Sequence, residues 1–244
     1  MSLRSYVGFQ TATNRITISD TVDPRTAITS ISYGGIFNIS KEDYDYTRQD
    51  IGITSSRAVT SGTSPTTVPS PTSNNGDLLL AFCCSRPAAR TFSSPGWTVE
   101  AESTTEQPSL SILSKRSSGS EPSSYDFTLS GASDSFDVII ISIANCNLYT
   151  IGTFGSQNNP PTISVPDDSS TEKLILFFIG NDGGNRSWDI NTINEFQIES
   201  LTSIQSSDVS AIYRTSSNTS LSYTTTQVGG GSNSYGISVV LRRI

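Results

Sequence analysis

Histidine is absent from this 244-residue chain. Its absence removes the usual general base and the commonest metal ligand, and with them the Ser-His-Asp and Cys-His arrangements. Cysteine is scarce: Cys83, Cys84 and Cys146 only. An odd number with two adjacent is no disulfide framework. Neighbouring residues on a strand face opposite ways, so Cys83 and Cys84 cannot both join Cys146. Buried free thiols are the first reading, with a Cys83–Cys146 or Cys84–Cys146 bridge as the alternative. Without a CxxC pair or histidine no zinc set can be assembled. Long apolar runs are missing too. Val138 to Ile141 is far too short to span a bilayer, and MSLRSYVGFQ at the start holds no signal-peptide core. Synthesis in the cytosol is expected.

Charge is sparse, at 15% of residues, and acidic, with a net charge of −7. A nucleic-acid surface needs clustered Lys and Arg to displace counterions, and an anionic membrane surface needs the same. Neither partner is expected. Repeated Val, Ile, Leu, Phe and Tyr runs set the chain apart from a disordered one, and indicate strands with polar outer faces.

The most compact run is Gly76 to Phe82, GDLLLAF. A second run, Lys173 to Phe178 (KLILFF), follows ninety-six residues later, counted from Leu78 to Leu174. The same offset links Phe127 with Tyr223. After the first run come Pro95-Gly96-Trp97 and strands at Leu110 to Lys115, Tyr125 to Leu129 and Phe136 to Ile143. After the second come Trp188, Val209 to Arg214, Leu221 to Thr225 and Ile237 to Leu241. Short strands separated by turn signals, with no helical period, predict an antiparallel sandwich. The expected fold is an all-β, jelly-roll-like sandwich (residues 59–244) made of two similar halves, 69–150 and 160–244. Each half is short, so one shared core is favoured over two separate ones. Thr60 to Asn75 reads as a linker or a lead-in strand, and Pro65 to Pro71 cannot be a central strand.

Residues 1–58 read as an extended N-terminal arm. Lys41 to Arg48 (KEDYDYTR) alternates Tyr with Asp. Tyr33, Phe37, Tyr44 and Tyr46 are the candidate assembly interface, since Tyr offers amphipathic contact area at low entropy cost. A strand face packed on the main domain is the competing reading.

Little chemistry is visible. No GxSxG, Walker A or post-strand GxGxxG occurs. Asp43/Asp45 and Asp167/Asp168 sit in polar stretches without the contrasting environments a glycosidase requires. The loop Asn181-Asp182-Gly183-Gly184-Asn185 has oxygen ligands for Ca²⁺, but Asn, Asp and Gly also dominate ordinary turns. Trp97 and Trp188 fit repeated core positions better than sugar platforms. No catalytic residue, metal or cofactor is expected.

The ordered string GDLLLAF, SPGWTVEAES and SLSILSKRSSGSEPSSYDFTLSGASDSFDVIIISIAN resembles a β-sandwich module common in tailed bacteriophages. The likeness rests on Gly-Asp before the strand, Pro-Gly-Trp, and Glu-Pro-Ser-Ser-Tyr, and it covers Pro69 to Ile244. The second half, with KLILFF and the terminal VVLRR, is similar to that family's second half. It departs from the pattern by lacking Pro-Gly before Trp188 and any Glu-Pro. The resemblance implies a non-catalytic virion protein of tail, fibre or baseplate, in contact with other virion proteins and forming a homo-oligomer. A capsid decoration protein is a close variant. A module binding host surface glycan is the alternative of another class.

Overall fold

The structure is a computed structural model. It describes residues 51–244 except 104, 106, 132–134, 156–161, 166–172, 183–186, 190–194, 203–205, 215–220, 225 and 229–232. The chain divides between Gln49 and Asp50, and the fold below is that of the second unit.

GDLLLAF opens a strand buried along its whole length, Leu78–Ser85. Side chains of a strand alternate between two faces, so full burial requires cover on both sides. Leu78, Leu80, Phe82 and Cys84 enter one core, and Leu79, Ala81 and Cys83 enter another. The second run does the same on Lys173–Asn181. Leu174, Leu176 and Phe178 join the first core, whereas Ile175, Phe177 and Ile179 enter a third. The near-continuous apolar runs are thus the signature of doubly covered strands.

The first half contains β1 (Gly52–Thr63), β2 (Thr66–Pro69), β3 (Leu78–Ser85), β4 (Phe92–Ser93), β5 (Thr98–Ser103), β6 (Ser109–Arg116), β7 (Ser124–Leu129) and β8 (Ser135–Ala144). The second contains β9 (Cys146–Ile151), β10 (Thr162–Val165), β11 (Lys173–Asn181), β12 (Ser187–Asp189), β13 (Glu195–Thr202), β14 (Ser206–Arg214), β15 (Leu221–Thr224), β16 (Thr226–Val228) and β17 (Ser234–Arg243). Sheet order in the first half is β1-β8-β3-β6-β5, backed by β2-β7-β4. In the second it is β9-β17-β11-β14-β13, with β10-β15 and β12-β16. The two orders correspond strand for strand, with β15 and β16 together in the place of β7. All the pairings are antiparallel. The order 1-8-3-6 backed by 2-7-4 is a jelly roll, except that β5 pairs with β6 and not with β4.

The expected shared core is present, and two further cores accompany it. The two five-stranded sheets face each other across a central core of Phe82, Ile112, Ile141, Phe178, Ile237 and Val239 among others. Each half also keeps its own outer core. One lies between the first sheet and β2-β7-β4, with Val68, Phe92 and Phe127. The other holds Ile163 and Val165 of β10 against Ile175, Phe177 and Val240.

Matching positions meet on the seam. Phe82 and Phe178 lie ring to ring with centroids 5.2 Å apart. Two residues further along each strand, Gly180 stands against Cys84: a Cβ built on Gly180 would lie 2.7 Å from Cys84 Sγ. Like meeting like at both points describes a pseudo-twofold axis running along β3 and β11, with the two strands pointing the same way.

The sandwich starts at Gly52 and not at residue 59, because β1 pairs with β8 from Gly52↔Ala144 to Thr63↔Ser135. β1 was hidden in the sequence by its polar content, which suits an edge strand. β2 is also an edge strand, which suits its proline, Pro69. The last residue returns to the junction of the halves, where Ile244 N–H donates to Asn145 O at 3.1 Å. Asn145 has φ 59°, in the left-handed region that Asn tolerates better than most residues.

Candidate functional site

Tyr33, Phe37, Tyr44 and Tyr46 lie outside the described residues, as do Asp43, Asp45, Asp167 and Asp168. The side chain of Trp188 and most of the 181–185 loop are outside them as well. Asn181 is described: it ends β11, and its buried side-chain amide donates to Asn233 O at 3.1 Å and to Ser234 Oγ at 2.6 Å. Among the described residues no group of three His, Cys, Asp or Glu side chains is placed to hold a metal. Cys83, Cys84 and Cys146 are free and buried. Cys83 and Cys84 do face different cores. Burial, then the neighbouring Cys84, pushes the Cys83 thiol well up. Burial likewise pushes Cys146 up to about 12, against a smaller opposing pull from the Arg116 charge. Neither is a ready nucleophile at neutral pH.

The motif residues converge. Ser94 to Trp97 form a turn in which Trp97 N–H donates to Ser94 O at 3.1 Å. Pro95 stands second and Gly96, with φ +79°, third; this is the pattern of a type II turn. It delivers Trp97 to the outer core, edge-on to Tyr125 at 5.1 Å and tilted against Phe127 at 5.6 Å. Tyr125 comes from the alternating strand β7 and is buried.

Around the Tyr125 ring a polar clasp closes. Lys115 Nζ lies 4.8 Å from the ring centroid and donates to Glu121 Oε2 at 2.6 Å. The Tyr125 hydroxyl donates to the same oxygen. Ser118 gives its N–H at 2.6 Å and its hydroxyl at 2.9 Å to Glu121 Oε1. Burial pushes the Glu121 carboxyl up, but the hydrogen bonds from Lys115, Tyr125 and Ser118 outweigh it and bring it to about 2. Burial, followed by the Glu121 bond and charge, pushes the Tyr125 phenol well up. Glu121 stays ionised and Tyr125 stays neutral at ordinary pH. The pair is a structural bridge, unsuited to passing protons.

The opening Gly-Asp is a turn device of the same kind. Gly76 has φ +89°. Asp77 Oδ2 accepts from Asn74 N–H at 2.8 Å and from the buried Ser142 hydroxyl at 3.2 Å. Thr54 Oγ1 in turn bonds Ser142 Oγ at 2.9 Å, so the network ties β1, β8 and the start of β3 together.

Beside this turn lies an open groove of about 660 Å³, lined by Leu78, Gly96, Thr98, Ser114, Lys115, Arg116, Asn147 and Leu148. Its walls come from both halves: β5 and β6 on one side, β9 on the other. At the opposite flank of the central core β1 lies against β13. Arg116 spans the groove end. Its Nη1 donates to Gly76 O at 2.9 Å and its Nη2 to Asn147 Oδ1. The sequence expectation ends a strand at Lys115 and assigns Arg116 no role; the strand runs on to Arg116. Two adjacent bases in an acidic chain were the available signal, but nothing local placed Asn147 beside them.

No family model, no curated protein and no solved structure matches this chain.

Proposed function

We propose that this is a non-catalytic structural protein of a bacteriophage particle, in the tail, fibre or baseplate attachment apparatus. Its N-terminal segment joins it to other virion proteins, and it forms a homo-oligomer. The observation that supports this reading is the convergence of the motif residues. Pro95-Gly96-Trp97, Glu121 and Tyr125, which carry the resemblance to the phage module, come together in one turn-and-clasp unit on a doubled β-sandwich. They act as scaffold there, as expected of a module whose motifs set fold and not catalysis. The test is incorporation. Particles assembled with the full chain, or with residues 50–244, are purified and analysed by mass spectrometry. The full chain enters particles and the truncated one does not. Equal incorporation rejects the assembly role of residues 1–49, and absence of the full chain from particles rejects the reading itself. Labelling on the capsid shell would turn the assignment to a decoration protein.

A second reading, a module binding host surface glycan, is favoured by one feature: the polar groove that both halves wall.

A further inference from the structure

Acidic residues outnumber basic ones in this chain, 22 to 15. A concave surface whose charged lining is entirely basic is therefore an exception. The groove has Lys115 and Arg116 and no acid among its lining residues. Lys115 is compensated by Glu121 at 2.6 Å. Arg116 is held differently: its bonds run to two neutral oxygens, Gly76 O and Asn147 Oδ1. A guanidinium carries five N–H donors in a rigid fork, and these bonds use two of them. They also fix the plane of the fork, so little conformational freedom remains to be lost when an anion arrives.

Half of the remaining lining residues, Thr98, Ser114 and Asn147, are polar. Thr98 offers a hydroxyl, and Asn147 an amide whose oxygen takes Arg116. Ser114 donates its proton to Glu100 Oε1 at 2.5 Å and so presents its oxygen as an acceptor. The volume of about 660 Å³ falls within the usual range for small-molecule sites, about 300–1,000 Å³. Such sites are mostly apolar, and an open hydroxyl-and-amide groove suits a polyhydroxylated ligand instead.

We propose that this groove binds a carboxylate-bearing saccharide, with Arg116 gripping the carboxylate and Thr98, Ser114 and Asn147 meeting the sugar hydroxyls. The proposal rests on the glycan-binding reading and narrows it to acidic sugars. It concerns the isolated chain and requires no particle.

The test is a titration of the full-length protein followed by amide NMR, with glucuronate, glucose and acetate as probes. Glucuronate should give saturable shifts at Ser114, Arg116 and Asn147. Glucose should bind about tenfold or more weaker, the size expected for a hydrogen bond to a charged group. Arg116→Gln should erase that preference. Thr98→Trp, which fills the groove from an exposed edge-strand position and leaves Arg116 in place, should erase binding, and it decides the matter if Arg116→Gln fails to fold. Glucose binding as well as glucuronate overturns the acidic assignment and leaves the glycan reading standing. Acetate matching glucuronate overturns the sugar. No shift with either sugar overturns both readings.

Discussion

Phe82 and Phe178 occupy the same position in the two halves and meet each other, 5.2 Å between ring centroids and 52° between ring planes. Each ring is fully buried. The seam between the halves is therefore built from one side chain used twice.

Truncating either ring should cost about 3–5 kcal/mol of folding stability, as large-to-small changes in a close-packed core do. The double variant Phe82→Ala with Phe178→Ala should cost less than the two separate losses added together, by about 0.5–1.5 kcal/mol for an aromatic pair. Urea unfolding of the four proteins measures this. Strict additivity would show that the rings do not act on each other.

Gly180→Cys should cross-link the halves. A Cβ at Gly180 would stand 3.4 Å from Cys84 Cβ, close to the separation of about 3.5–4.5 Å found in disulfides. Leu110 Cδ2, at 2.4 Å from the same point, must swing aside, and it is the end of a flexible side chain. Intact-mass and thiol counts after mild oxidation should show one bridge and two remaining thiols, those of Cys83 and Cys146. Four free thiols would contradict the strand registry across the seam. Gly180→Ala, which adds bulk without a bond, should be destabilising by about 1–3 kcal/mol.

Glu121 predicts an acid-dependent contribution. Hydrogen bonds from Lys115, Tyr125 and Ser118 outweigh burial and hold its folded-state carboxyl down at about 2, below the ordinary value of 4.5. The folded form therefore binds the proton less readily than the unfolded one, and the stabilisation is full above the unfolded value. It is lost as pH falls from 4.5 through about 2. Glu121→Gln should lower stability by about 1–2 kcal/mol at neutral pH, allowing for solvent screening. The gap between wild type and variant should close in the acid range. A gap independent of pH would remove the charge from the explanation.

Asp77→Ala should cost about 1–3 kcal/mol, since it strands the buried Ser142 hydroxyl and the Asn74 N–H. Asp77→Asn should recover part of the loss, because an amide oxygen can still accept one of these bonds. Thermal melts of the three proteins read the series, and a harmless alanine variant would show that solvent replaces the carboxylate.

The parts of the fold legible in the sequence are those where burial and turn chemistry are local. Leu78 to Cys84 and Leu174 to Ile179 stand out because both of their faces are covered. Gly76, Pro95 and Gly96 stand out because their backbone preferences name the turn. The repeat was legible from Leu78 and Leu174, and its strand-for-strand correspondence follows. β1 was not legible: Thr54, Ser55 and Ser56 at a sheet margin have the composition of a loop. Three cores were not foreseen either, since an apolar run says that both faces are buried and not which sheet covers each. The groove was the least legible feature, because Arg116 and Asn147 come from different halves and only the duplicated packing brings them together.

Gly52 pairs with Ala144 at one side of Asn145, and Ile244 bonds Asn145 on return. The described strands thus form two circuits, each of which begins and ends beside Asn145. Either circuit can be traced first without changing which strands are neighbours. A circular permutant opened at Asn145, with Ile244 joined to Gly52 by a short linker, would reverse the order of the halves while preserving every pairing. The order in which the halves are synthesised is thereby separable from the architecture they form.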